Sequence, residues 1–213
     1  MRGRRRSRGE TLSRGCPARD NGGSNPYESN VPHSVPEGPS EWVARFAHLI
    51  PAGGRVLDLA CGHGRHARHL RELGYRIVAI DRDQEALRSL GGIDGIEPRL
   101  IDIETEPWPF PPQSFDGIVV TNYLHRPLFA HLFAALHQGG VLIYETFAAG
   151  NEQFGRPSNP DFLLRRSELL ERLMPELQVV AFEQGIVSRP KPAVVERICA
   201  IAAGDLWWSL DHR

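Results

Sequence analysis

Between residues 40 and 202, apolar and polar positions alternate between two rhythms, one helical and one extended. "EWVARFAHLI" sets Trp42, Val43, Phe46 and Leu49 at helical spacing, with Ser40 in front as an N-cap and Pro51, Gly53 and Gly54 behind as a stop. From there the pattern predicts strand over "RVLDLAC", helix over "GRHARHLRELG" closing on Gly74, strand over "RIVAID" and helix over "DQEALRSLGG". Strands over "PRLIDI" and "SFDGIVVTNYL", a helix over "RPLFAHLFAALHQGG" and a strand over "GVLIYETF" follow. Residues 77–80 and 117–120 are unbroken apolar runs, as expected of parallel strands covered by helices on both faces. Beyond a helix over "RRSELLERLM", the runs "LQVVAFEQGIVS" and "AVVERICAIAA" are joined through "RPKP", with no room for a crossover helix, so they should pair antiparallel. The expected fold is α/β: a doubly wound, Rossmann-like, mostly parallel seven-stranded sheet with an antiparallel C-terminal strand.

A chain of 213 residues suits one such domain, over residues 39–213, behind a tail at 1–38. The tail is Arg, Gly, Pro, Ser and Asn with few apolar residues, too little to repay ordering, and is expected to be disordered. Lys and Arg number 25 against 26 Asp and Glu, so no global field favours nucleic acid or an anionic membrane. No apolar run is long enough to span a bilayer. Cys16, Cys61 and Cys199 are odd in number and widely spaced, which suggests neither a disulfide framework nor a zinc site and fits a reducing cytoplasm. The start "MRGRRRSRGE" shares its Arg-rich, acid-poor composition with mitochondrial transit peptides, although it lacks their amphipathic helix.

The chemistry concentrates in "LDLACGHGRHARHL", residues 57–70. An apolar strand climbs to Asp58, turns at Gly62 and Gly64, and resumes as a helix, and ligands of this fold class sit beyond such strand ends. "GHGRHA" satisfies the dinucleotide fingerprint loosely. A pyrophosphate at this turn would be repelled by Asp58, whereas a cationic methionine group would be stabilised by it, so the acid favours S-adenosylmethionine over a dinucleotide. A cap on the following turn is the other role open to Asp58. Asp81 ends the second strand about twenty residues past the glycines, where a carboxylate accepts ribose hydroxyls. Asp102 follows the third strand and leads through a Pro-aromatic stretch to Phe115 and Asp116.

With "VLDLACGHG", "VAIDRD", "IDIE…PWPF…SFDGIVV" and "LHQGGVLIYETF" in that order, residues 40–204 resemble the class I S-adenosylmethionine-dependent methyltransferases. The stretch "YETF…GN…FGRPSNPDFLL…ELL" is similar to the small tellurite-resistance-type members. The resemblance implies S-adenosylmethionine as cofactor. Asp58, Ala60, Gly62 and Gly64 would line its methionine side, Asp81 and Arg82 the ribose end, Asp102 and Ile103 the adenine, and Asn122 the floor beneath the sulfonium. Ala60 and Cys61 depart from the glycine-rich form of the motif by small side chains.

On the acceptor side, "TNYLHRPLF" and the end of the fifth strand bring Tyr123, His125 and Glu145 to the same rim. Histidine is the side chain suited to exchange a proton near neutral pH, which makes His125 the first choice for a base or acceptor contact, with a cap on the helix near Arg126 and Pro127 as its alternative. No Pro-Pro follows Asn122, as the methyltransferases of exocyclic nucleic-acid amines would require, so a small-molecule or metalloid acceptor is expected, methylated at O, N or S. His63, His66 and His69 are read as a helix surface, and no metal site is expected. Residues 147–164, with Phe154 and Arg156, form a lid over the acceptor or a surface loop pinned by Phe154. A cofactor-binding partner subunit without catalysis and an NAD-linked oxidoreductase are the competing functions.

Overall fold

The computed structural model describes residues 38–174 and 176–202; the expected tail, but for Gly38, lies outside the described residues. Ser40 caps α1 (Glu41–Phe46), its hydroxyl accepting the amides of Trp42 and Val43. β1 (Arg55–Leu59), α2 (Arg65–Glu72), β2 (Arg76–Asp81), α3 (Gln84–Arg88) and β3 (Ile96–Leu100) follow. Then come β4 (Phe115–Thr121), α4 (Phe129–Ala135), β5 (Leu136–Phe147), α5 (Glu168–Leu173), β6 (Gln178–Val187) and β7 (Ala193–Ile201).

The seven strands form one sheet in the order β3-β2-β1-β4-β5-β7-β6. β1 to β5 are mutually parallel, and β7 runs antiparallel to both β5 and β6, so the C-terminal hairpin read from the short "RPKP" link is present. Strand residues alternate between two cores. Leu57, Leu59, Ile118, Val120 and Leu142 pack toward α4 and α5, while Val56, Val119, Val141 and Ile143 pack against Trp42, Phe46, Leu70 and Leu90 from α1, α2 and the turn after α3. Burial on both faces is why these strands read as continuous apolar runs.

One boundary departs from the pattern. The helical rhythm over residues 126–140 splits into a 3-10 turn at Arg126–Leu128, α4, and a strand that already begins at Leu136. Gly139 turns at φ 79°, and a side chain at Gly140 would meet the Phe115 carbonyl at 3.1 Å, so the glycine pair belongs to a bent strand entry, not to a helix end. No helix among the described residues is long and apolar enough to cross a membrane.

Candidate functional site

The sheet winds outward in both directions from β1 and β4, and the crevice left at their carboxyl ends is where this topology places ligands. Ala60 and Asn122, the residues immediately after these strands, both hold positive φ, 54° and 55°. A left-handed conformation costs a non-glycine residue roughly 1 to 2 kcal/mol, so the surrounding contacts impose it. The Asn122 amide donates to the Glu145 carbonyl of β5, which fixes the turn.

Asp58 is 1% exposed, and its Oδ2 has no hydrogen-bond partner among the described residues. Burial raises its carboxyl to about 7; the Ala67 amide and the charge of Arg65 oppose the rise, and Asp81 adds to it. Asp58 therefore meets a backbone amide, as a cap would, yet keeps one buried oxygen for something else. Past it, Gly62 turns at φ 53° with open space where a side chain would stand, and its amide donates to Asp81 Oδ2 at 2.8 Å. Gly64 differs: a Cβ there would lie 2.4 Å from Leu90 Cδ2, so its missing side chain makes room for the core and not for a ligand.

Beside this turn lies a cavity of about 210 Å³ lined by Ala60, Asp81, Asp102, Ile103, Glu104 and Tyr123, among others. Asp81 is pre-set by two backbone donors, Gly62 to Oδ2 and Asp83 to Oδ1. Asp102 takes the Glu104 amide on Oδ1. The Pro-aromatic stretch anchors this loop, with Trp108 stacked on His131 of α4 and Phe110 edge-on to Phe115. Across the cavity the Tyr123 hydroxyl donates to Glu104 Oε1 at 3.1 Å, and Arg82 lies 3.9 Å from the other oxygen. Burial, then the neighbouring Glu104, raises the Tyr123 phenol well above its usual range, which makes it a donor and a poor base.

The rim at β4 and β5 is tied together by side chains. Glu145 accepts from Ser40 Oγ at 2.8 Å and pairs with Arg197 at 3.2 Å. His66 Nε2 accepts the Ser40 amide, which leaves the proton on Nδ1, 3.3 Å from Thr121 Oγ1. Burial lowers its imidazole to about 3, so it is neutral. This corrects the helix-surface reading of the three histidines. His66 is buried, His69 keeps a buried Nε2, and only His63 faces solvent.

His125 occupies the position before the Arg126–Leu128 turn, but its side chain makes no capping hydrogen bond, so the cap alternative fails. Arg126 next to it grips fully buried Glu168 with two bonds of 2.8 and 2.9 Å and holds the carbonyls of Asp161 and Leu163. Burial alone would raise the Glu168 carboxyl, but bonds from Arg126, the Arg165 amide and Arg172 outweigh it and hold it well below the carboxylate range. The loop after β5 is pinned by Asn151, whose side chain donates to the Pro157 carbonyl and accepts the Val194 amide. Phe154, the pin in the surface-loop alternative, is 42% exposed, and Arg156 is exposed near it.

Sequence reasoning missed Glu104, Arg126, Glu168 and Arg197, and the bond from the capping Ser40 to Glu145, because the partners lie far along the chain. Asp116, singled out by its position, serves instead at the opposite end of the sheet, taking the Arg55 amide at 2.7 Å. Among the described residues no group of three or more His, Cys, Asp or Glu could hold a metal ion.

The methyltransferase domain family matches residues 31–188. A protein-L-isoaspartate O-methyltransferase of Chlorobaculum tepidum is 36% identical over 109 residues, 49% of this chain and 49% of that protein. The chain spans about half the length of the curated relatives it matches. Among solved structures, TehB from Haemophilus influenzae superposes with a TM-score of 0.63 at 20% identity, over 75% of this chain and 60% of that one. An S-adenosylmethionine-dependent methyltransferase from Mesorhizobium loti gives 0.60 at 21% identity, over 77% and 98%.

Proposed function

Because the chain belongs to the class I S-adenosylmethionine-dependent methyltransferases, we propose that it is an enzyme transferring the methyl group of S-adenosylmethionine to an O, N or S atom of a small-molecule or metalloid acceptor. The observation that carries this reading is the buried, unpartnered Oδ2 of Asp58 beside the open turn at Gly62. A lone buried carboxylate oxygen is costly unless a donor or a cation arrives, and the ammonium of a methionine group is both. The cavity next to it fits the other end of the same molecule: two carboxylates, Asp81 and Asp102, between apolar Ala60 and Ile103. In this assignment Asp81 and Arg82 serve the ribose, Asp102 and Ile103 the adenine, and Asn122 the floor of the transfer site.

The bound cofactor supplies an already activated methyl group. The chain's own contribution is therefore alignment, exclusion of water and removal of a proton where the acceptor carries one. His125, uncommitted to a cap, is the proton acceptor of this proposal. Tyr123 offers a hydroxyl donor at the junction of the cofactor cavity and the rim. Glu145, held by Ser40 and Arg197, positions α1 and the ends of β4 and β5. Arg156 and the loop pinned through Asn151 stand on the acceptor side.

The test is a thermal-shift and calorimetric screen with S-adenosylhomocysteine and NAD, followed by acceptor profiling with a labelled methyl donor. Stabilisation by S-adenosylhomocysteine and not by NAD is expected. A shift with NAD alone would discard the reading, and tight S-adenosylhomocysteine binding with no transfer to any acceptor would favour a non-catalytic partner subunit.

A further inference from the structure

We propose that Tyr123 and Glu104 form a strap across the cofactor cavity, which parts to admit the cofactor and closes again over it, so that strap opening sets the rate of cofactor exchange. The inference rests on the cofactor reading above and adds a gate to it.

The sheet order carries the geometry. Glu104 follows β3 and Tyr123 follows β4, and both β2 and β1 lie between those strands. At the usual strand spacing the ends of β3 and β4 stand about 14 Å apart. The Tyr123 hydroxyl nevertheless donates to Glu104 Oε1 at 3.1 Å. The two side chains therefore reach toward each other across the carboxyl ends of β1 and β2, where Ala60 and Asp81 line the same cavity. Arg82, directly after β2, adds a support midway, 3.9 Å from Glu104 Oε2.

Both ends of the strap are anchored, and the joint between them is slight. The Tyr123 carbonyl accepts the hydroxyl of buried Tyr144 at 2.8 Å, and the Tyr144 ring stacks on Phe129 of α4. At the other end Asp102 Oδ1 accepts the Glu104 amide while Glu106 Oε1 accepts the Asp102 amide, which closes residues 102–106 into a turn of their own. What joins the two posts is one hydrogen bond, with a long ion pair to the exposed Arg82 beside it. Exposed ion pairs contribute little and a single hydrogen bond only modestly, so the joint opens without disturbing either post. It also has reason to open. Sites that bury a small molecule hold roughly 300 to 1,000 Å³, and the strapped cavity holds about 210 Å³. Its hydroxyl stays a donor throughout, because burial and Glu104 keep the Tyr123 phenol protonated well above neutral pH.

The experiment is stopped-flow binding to the full chain with two probes, S-adenosylhomocysteine and 5′-methylthioadenosine, which keeps the nucleoside and lacks the amino-acid end. Tyr123→Phe and Glu104→Ala should each raise the association and dissociation rates of both probes by roughly three- to tenfold and leave each Kd within about twofold. The double variant should be no faster than either single one, because both changes remove the same bond. Unchanged rates in both single variants, or accelerations that add in the double variant, would overturn the proposal. So would a rise in dissociation alone with Kd rising to match, which marks a plain contact with the ligand and not a gate. Glu104 is exposed, so Glu104→Ala leaves the core intact and decides alone should Tyr123→Phe melt far below the unmodified chain. Failure of the unmodified chain to bind either probe would discard the cofactor reading and the strap with it, which the first titration reveals before any variant is made.

Discussion

Asp58→Asn should make the ligand-free protein more stable and its cofactor binding weaker. The carboxyl titrates near 7 in the fold against an ordinary 3.8, chiefly because burial penalises the anion. An acid whose pKa is raised by folding is protonated more readily folded than unfolded, so it detracts from stability as pH rises from about 4 to 7 and detracts fully above that. At about 1.4 kcal/mol per tenfold, the ionised Asp58 destabilises the fold by roughly 4 kcal/mol at pH 8. Asparagine removes the charge but sets a buried N–H where Oδ2 now lacks a partner, a loss of about 1 to 3 kcal/mol. The net gain is then roughly 1 to 3 kcal/mol, or about 3 to 10 °C in melting temperature for a chain of this size. Thermal melts of both proteins at pH 8 and pH 5 test this, because more than half of the charge penalty is gone at the lower pH and the advantage of the variant should shrink with it. A variant that melts lower at pH 8, or an advantage equal at both pH values, would refute the reasoning.

The same group predicts how binding depends on pH: a ligand ammonium favours ionised Asp58, so association expels a proton. Calorimetry should show S-adenosylhomocysteine affinity rising as pH climbs to about 7 and falling up to tenfold for each unit below, a slope that Asp58→Asn abolishes. Gly64→Ala forces a Cβ to within 2.4 Å of Leu90 in a left-handed backbone and should lower the melting temperature by several degrees. Gly62→Ala, at φ 53° with open space, should cost about 1 kcal/mol in stability and show its larger loss in cofactor affinity. Arg156→Ala should impair turnover or acceptor binding while S-adenosylhomocysteine affinity stays nearly intact; equal losses in both would mark a structural loop.

What was legible in the sequence is what repeats locally. The parallel sheet shows as runs such as residues 117–120, because Ile118 and Val120 face one core and Val119 the other. The antiparallel hairpin shows because four residues cannot hold a crossover. Asp58, Gly62 and Asp81 show because a strand end, a turn and a second strand end fall at fixed spacings. The end of α4 did not show, since Leu132, Ala135 and Leu136 carry a helical stripe straight into a strand that needs the same apolar burial. Only the glycines at 139 and 140 mark the change, and glycine marks a helix end and a bent strand equally well.

The polar ties escaped for a different reason. Ser40 and Glu145 are 105 residues apart, Arg126 and Glu168 are 42 apart, and neither separation carries a period. His66 sits on a helix so basic that its spacing from His63 and His69 suggests a solvent-facing stripe, yet the ring is buried by Ser40 from before the strand and Thr121 from beyond it. A buried polar group is defined by what satisfies it, and that partner is chosen by the topology and not by the neighbours in the chain. Once the sheet order is known, the polar groups sort by what the fold offers them. Glu145 near the end of β5 and Glu168 at the start of α5 are engaged by side chains that the fold brings to them and act as holding residues, whereas Asp58 Oδ2, buried and unpartnered among the described residues beside the open turn at Gly62, is the unsatisfied group at the carboxyl end of the β1 and β4 pair.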